Sequence, residues 1–338
     1  MSNPVRISRE KAQQLVLHAQ GLDGVQESTL DIVKRLSYVQ IDTISVTARA
    51  HHHVIFSRNP DYQQTGLEEV LQQGNIFEYW SHAAAFLPME DYRFSLLQKG
   101  KILKGEKFWF DRDKKVMRQV MRRIKNEGPL QSKDFVHIGK QGGAWFEWKP
   151  AKIALQQLFM EGRLMICSRQ GFQKVYDLTE RVLPDWVDTK KPTEKGFYTY
   201  LTDRAISAQG LATAAEIGYL RKGSTAPIAR VLKEKLRKKE LVKVEVEGID
   251  ELYYARPESL DQQFENPLEN HLYILNPFDN LVIQRKRLWD LFQFDYLIEC
   301  YVPGPKRRFG YYTLPVLYNG QFVARLDAKA NANLEFWK

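Results

Sequence analysis

"KPAKIALQQLFMEGRLMICSRQGFQKVYDLT", residues 149–179, decides how the chain is to be read. Its first half sets Ala154, Leu158 and their neighbours in an apolar stripe, which predicts a helix. Its second half predicts two strands around Arg169-Gln170-Gly171. Just upstream, "KKVMRQVMRRIKNEG" (114–128) is an amphipathic helix stopped at Gly128-Pro129, and "SKDF" (132–135) is placed to cap a short second helix. Three helices followed by a hairpin is the order of a winged helix.

The order recurs downstream. "GFYTYLTDRAISAQG" (196–210), "ATAAEIGYLRKG" (212–223) and "TAPIARVLKEKLRKKE" (225–240) read as three helices. "LVKVEVEGIDELYYAR" (241–256) follows as two strands around Gly248. The stretch 184–196, rich in Pro, Thr and charge, joins the two repeats. On the N-terminal side, Ser8 and Ser28 each precede a helical stretch, the first ending near Gly21. "LSYVQIDTISV" (36–46) then reads as a strand. The last part is dense in aromatic and β-branched residues, with a short helix at "RKRLWDLF" (285–292) and a hairpin signal at Asn319-Gly320.

Composition narrows the class. Of 338 residues, 43% are hydrophobic and 27% charged, which suits a globular chain of several small domains. The formal net charge of +9 favours an anionic partner, most often nucleic acid. Lys and Arg are concentrated in 99–125, in 229–240, at Arg285-Lys286-Arg287 and at Lys306-Arg307-Arg308. Such clusters suit phosphate contact, although any one of them reads equally well as a solvated face. Cys167 and Cys300 lie far apart without CxxC spacing, against a zinc site or a disulfide framework. The opening residues lack an apolar signal core, and no run has the length of a membrane span. A cytoplasmic, nucleoid-associated protein is the expectation.

The strand 36–46 carries the chemistry. Side chains alternate along a strand, so Gln40 and Asp42 would project from one face, roughly 6–7 Å apart at Cα. A half-buried strand with a wet face would look the same. His51, His52 and His53 follow, but consecutive residues on a strand or loop diverge, which disfavours a metal site. There is no P-loop, no GxGxxG turn and no GxSxG elbow, so nucleotide-driven chemistry and serine hydrolysis lack support.

Taken together, "VQIDTISVTARAHHHVIFSR" (39–58), "YWSHAAAFLP" (79–88), "LNPFDNLV" (275–282), "KRRFGYYTLPVL" (306–317) and "ARLDAKA" (324–330) resemble the YcaQ/AlkZ family of DNA glycosylases. The resemblance spans nearly the whole chain in the right order. It implies an α+β fold of three tandem winged helices, over 1–113, 114–183 and 197–256, and a β-rich C-terminal domain over 264–338. It implies a catalytic motif of glutamine, an apolar residue, then glutamine or aspartate, matched here by Gln40-Ile41-Asp42. The aspartate resembles the YcaQ (AlkX) branch, associated with excising N7-alkylated guanine and unhooking interstrand crosslinks. Family members continue for several elements past "RLDAKA", so a shortened last domain is expected in the chain as given. No cofactor, metal or nucleotide is implied, and the expected partner is double-stranded DNA bound by a monomer.

Arg49, His51, His53, Tyr79, His82, Arg308 and Tyr311 are candidate DNA contacts, with packing as the plain alternative for each. Tyr79 and Trp80, beside "AAAFL", suit a core as well as a channel wall. Two other functions compete with the glycosylase. A non-catalytic winged-helix regulator accounts for the charge and the repeats, but not for the Gln40-Asp42 face. A metal-dependent nuclease would use Asp42 with the three histidines.

Overall fold

The structure, a computed structural model, describes residues 3–106, 111–135, 150–264 and 271–328. The end of the expected C-terminal domain and residues 107–110 of the first basic run lie outside the described residues.

Strand β1 (Val5–Ile7) leads into helix α1 (Arg9–Ala19), capped by Ser8, whose hydroxyl accepts the Lys11 N–H at 3.1 Å. Ser28 caps α2 (Thr29–Leu36) in the same way, accepting from Asp31 N–H at 3.2 Å. Both caps are where the sequence puts them. The strand expected over 36–46 is not: β2 is only Val39–Gln40. Ile41 N–H donates to Ala84 C=O at 2.8 Å, but then Asp42 Oδ1 accepts the Ile44 N–H at 2.8 Å. That side-chain turn offers the backbone an alternative to a ladder, and the strand stops. The chain next enters α3 (Ala50–Phe56), so His51, His52 and His53 stand on a helix rather than on a strand or loop. Helix α4 (Thr65–Gln72), strands β3 (Ile76–Trp80) and β4 (Ala84–Pro88) and helix α5 (Tyr92–Leu103) complete this part.

The decisive stretch folds as read. Helix α6 (Lys114–Glu127) starts on Asp113, whose Oδ1 accepts the N–H groups of Lys115 and Val116 at 2.9 and 3.0 Å. It buries Val116, Met117, Val120 and Ile124, one face at helical spacing. Strand β5 (Leu130–Gln131) and a 3-10 turn at Ser132–Phe135 precede α7 (Pro150–Met160), β6 (Leu164–Gln170) and β7 (Gln173–Leu178). The sheet order is β5-β7-β6. After the short α8 (Thr179–Val182), the order repeats with α9 (Glu194–Gln209), β8 (Leu211–Ala212), α10 (Ala214–Ile217), α11 (Thr225–Arg237), β9 (Val242–Val246) and β10 (Leu252–Ala255). Here too the first strand lies beside the third, as β9-β10-β8.

Among the described residues, the C-terminal part has fewer strands than its composition suggests. After α12 (Pro257–Leu260) come β11 (Leu272–Ile274), α13 (Arg285–Phe292), β12 (Thr313–Tyr318) and β13 (Gln321–Asp327), the last two joined by Asn319-Gly320, both at positive φ. Much of 275–284 and 293–312 consists of turns pinned by side chains: Asn276 Oδ1 accepts Phe278 N–H, Asp279 Oδ1 accepts Leu281 N–H, and Glu299 accepts three N–H groups.

The chain forms two compact units that cut across the expected boundary at 113. One comprises Met1–Gln63, Ser81–Ala85 and Lys195–Lys338, the other Gln64–Trp80 and Phe86–Glu194. In the second unit, the Arg169 guanidinium on β6 grips the buried Glu78 carboxylate on β3 at 2.5 and 2.9 Å, tying β3 to the 114–178 repeat. In the first unit, β1 pairs in parallel with β9. Leu15 and Val16 of α1 share an apolar core with Val244, Val246 and Tyr253, and with Leu288 and Leu291 of α13. So the N-terminal residues complete the 194–255 repeat.

Among the described residues, no helix is long and apolar enough to cross a membrane.

Candidate functional site

Gln40 and Asp42 lie in the first unit, at the point where β2 gives way to the Asp42 turn. Asn280 holds this segment in place. It is buried, and its side-chain NH₂ donates to the carbonyls of Leu36 and Tyr38 at 3.3 and 3.1 Å, just before Gln40. Asn280 belongs to a turn that is itself anchored. Neighbouring Asp279 and Arg58 form an ion pair with both side chains fully buried, at 2.8 and 3.1 Å. Arg58 also donates to the carbonyls of Gln20 and Val54 at 2.6 and 3.0 Å, leaving few donors unsatisfied in a dry setting.

Gln40 is buried, and its side-chain Oε1 meets His82 Nε2 at 3.2 Å. His82 sits in the turn between β3 and β4, closed by Ser81 N–H donating to Ala83 C=O at 2.9 Å. Its ring stands edge-on to Tyr38 (4.9 Å between centroids) and Tyr219 (5.4 Å). Burial, reinforced by the Arg221 cation, pushes its imidazolium down to about 4, so at neutral pH the ring is uncharged. Arg221 reaches the same turn, with Nη2 3.3 Å from Ser81 Oγ, and its own acidity is raised by burial.

Asp42 is half-buried. One carboxylate oxygen is committed to the Ile44 N–H; Oδ2 has no hydrogen-bond partner among the described residues. The charge is felt on residues 300–312: burial first, and the Asp42 carboxylate in addition, push the Cys300 thiol and the Tyr301 and Tyr312 phenols up. That segment is shaped by Glu299, whose carboxylate accepts the N–H groups of Arg308, Phe309 and Gly310 at 2.9, 2.8 and 3.1 Å. Those bonds hold its acid group below the usual carboxylate range. The clamp leaves Tyr311 exposed under the Arg307 guanidinium (5.0 Å), and Arg308 exposed over Phe309 (5.0 Å).

The other expected contacts fall in different places. Arg49 begins α3, half-buried, with Nη1 3.4 Å from Thr43 C=O. His53 donates Nε2–H to Ile274 C=O at 2.8 Å, and burial keeps it neutral. His51 is buried at 3% exposure, in ring contact with His52. Tyr79 belongs to the second unit, where its hydroxyl donates to Met160 C=O at 2.8 Å and its ring meets Phe159 edge-on. His51 and Tyr79 are both buried, the placement that the packing alternative describes. Among the described residues, no three His, Cys, Asp or Glu side chains converge as metal ligands.

Gln40, Asp42 and His82 are legible as candidates in the sequence; Asn280, Arg221, Tyr38, Tyr219 and Glu299 emerge only in the fold. Asn280 stood inside the quoted run "LNPFDNLV", where a polar residue among aliphatic ones was the available signal.

Comparison with known proteins agrees with this architecture. The sequence model of the family "DNA glycosylase AlkZ-like" matches residues 33–336. The solved structure of the Streptomyces sahachiroi DNA glycosylase AlkZ superposes with a TM-score of 0.60 at 18% identity, over 94% of this chain and 87% of that one. The likeness is one of fold, carried on a sequence largely changed.

Proposed function

The chain belongs to the AlkZ-like DNA glycosylase family, and we propose that it releases N7-alkylated guanine from double-stranded DNA and unhooks crosslinks made through that position. Alkylation at N7 puts a positive charge on the guanine. When the N9–C1′ bond breaks, its electron pair neutralises that charge, so the base leaves without a general acid. What remains is to stabilise an oxocarbenium-like sugar and to deliver water to C1′. Asp42 supplies the negative charge and accepts the proton of the incoming water; Gln40 holds that water by hydrogen bonding. The half-buried Asp42 carboxylate, with Oδ2 unengaged by the described residues and Gln40 held by His82 two positions earlier in the chain, carries this reading.

Arg49, Arg308 and Tyr311 serve as contacts to DNA in this proposal, and the net charge of +9 supports binding through phosphates. The enzyme acts as a monomer, without cofactor, in the cytoplasm close to the chromosome. The mechanism is monofunctional: neither Gln40 nor Asp42 is an amine that forms a Schiff base with C1′. The test is incubation with duplex DNA containing 7-methylguanine, with and without EDTA. Free base that still forms in EDTA, on an unbroken abasic strand, is the expected result. No release favours a DNA-binding regulator, and release abolished by EDTA favours a metal-dependent enzyme.

A further inference from the structure

We propose that His82 is a positioning residue for Gln40: it donates Nε2–H to Oε1 and so fixes the amide with its NH₂ group, not its carbonyl, as the part free to meet the reacting water. This rests on the reading of Gln40 and Asp42 as the reacting pair.

The geometry supplies each step. The Nε2–Oε1 separation is 3.2 Å, and the NH₂ group of Gln40 has no hydrogen-bond partner among the described residues. A neutral imidazole has one N–H, and placing it on Nε2 satisfies the Gln40 carbonyl. Turning the amide over would then set donor against donor. The imidazole itself cannot swing easily: Tyr38 and Tyr219 flank it edge-on, and the turn that carries it is closed by Ser81 N–H on Ala83 C=O, with Arg221 on the Ser81 hydroxyl. Burial and the Arg221 cation keep it neutral at working pH, so it neither donates twice nor adds a positive charge beside a developing oxocarbenium. The consequence is a division of labour. Gln40 can only donate to the water oxygen, so the water's proton must pass to Asp42.

Two measurements on the full chain test this. In the ¹⁵N spectrum of histidine-labelled protein without DNA, the His82 signals, assigned by their loss in His82→Gln, should show a neutral ring protonated at Nε2 from about pH 5.5 to 8. The Nε2 resonance should move in Gln40→Ala. In single-turnover release of 7-methylguanine with protein in excess, His82→Phe should be slower by about 10–100-fold, as for a reacting group left in place but no longer held. Affinity for undamaged duplex should be unchanged. His82→Gln, whose NH₂ can donate to the same carbonyl, should recover most of the rate. A ring protonated at Nδ1, a charged ring at neutral pH, a parental rate in His82→Phe, or a loss explained by weaker binding to undamaged DNA each overturns the proposal. If the parent protein releases no base, the glycosylase reading fails, and the nitrogen spectrum alone decides the His82–Gln40 contact.

Discussion

Two runs in the first unit, "VQIDTISV" (39–46) and "LNPFDNLV" (275–282), look alike on paper: each sets one aspartate and at least one amide among apolar residues. They fold to opposite ends. Asp279 is fully buried, and both its oxygens are bonded to Arg58. Asp42 is half-buried and bonds only the Ile44 N–H among the described residues, with no cation on it. The same carboxylate is a structural rivet where an arginine neutralises it, and a candidate reagent where none does. The partner decides, and it is distant: 221 residues separate Arg58 from Asp279.

Breaking each carboxylate separates the roles. Asp42→Ala should slow release of 7-methylguanine by about 10³-fold or more, the loss expected when a preorganised charge is removed. Its melting temperature and affinity for undamaged DNA should stay close to parental. A rate within a few-fold of the parent would remove Asp42 from the chemistry.

Asp279→Ala should do the reverse. It strands the Arg58 cation in a dry core and should cost about 3–5 kcal/mol of stability, measured by urea unfolding. Whatever folded protein survives at low temperature should still release base, within about the 10-fold that a loosened Asn280 turn costs. A stable Asp279→Ala protein without activity would mean that the two runs share one function.

Asn280 links the two runs, since it stands beside Asp279 and holds the backbone before Gln40. Asn280→Ala should lose about 1–3 kcal/mol, because the carbonyls of Leu36 and Tyr38 lose a buried donor. Release should fall by about 10-fold through a loosened β2, measured under single-turnover conditions.

The sequence carried what is local. The caps at Ser8 and Ser28, the α6 stripe, the two helix-and-hairpin repeats and the Asn319-Gly320 turn were all legible, because each depends on residues a few positions apart. The strand at 36–46 was half right. Val39 and Ile41 alternate with Gln40 and Asp42 as in a ladder, but Ile44 falls out of that alternation, where Asp42 accepts its N–H and the strand gives way to a turn. The helix carrying His51 to His53 has no side-chain cap to announce it. The meeting of His82 with Gln40 joins positions 42 residues apart through a hairpin turn, and no periodicity encodes that.

The smallest expected effect is on stability against pH, and it sharpens the comparison from the side of the histidines. His82 and His53 both have their acidity raised by burial, His82 to about 4 against an ordinary 6.5. Between those values the unfolded chain takes up protons that the folded chain refuses. Folded stability therefore falls as pH drops from about 6.5 toward 4, and above 6.5 neither ring contributes. The groups facing His82 are Gln40, Tyr38, Tyr219 and Arg221, of which Arg221 adds to the depression. Carboxylates held low, such as Glu299 and Glu234, begin to count only below about their ordinary 4.5, so the interval from pH 5 to 6.5 isolates the histidines. Across that interval the melting temperature should fall by roughly a few degrees, and by less in His82→Phe. An equal fall in the variant would show that His82 is already protonated in the fold, and would leave Gln40 without the neutral donor that holds it.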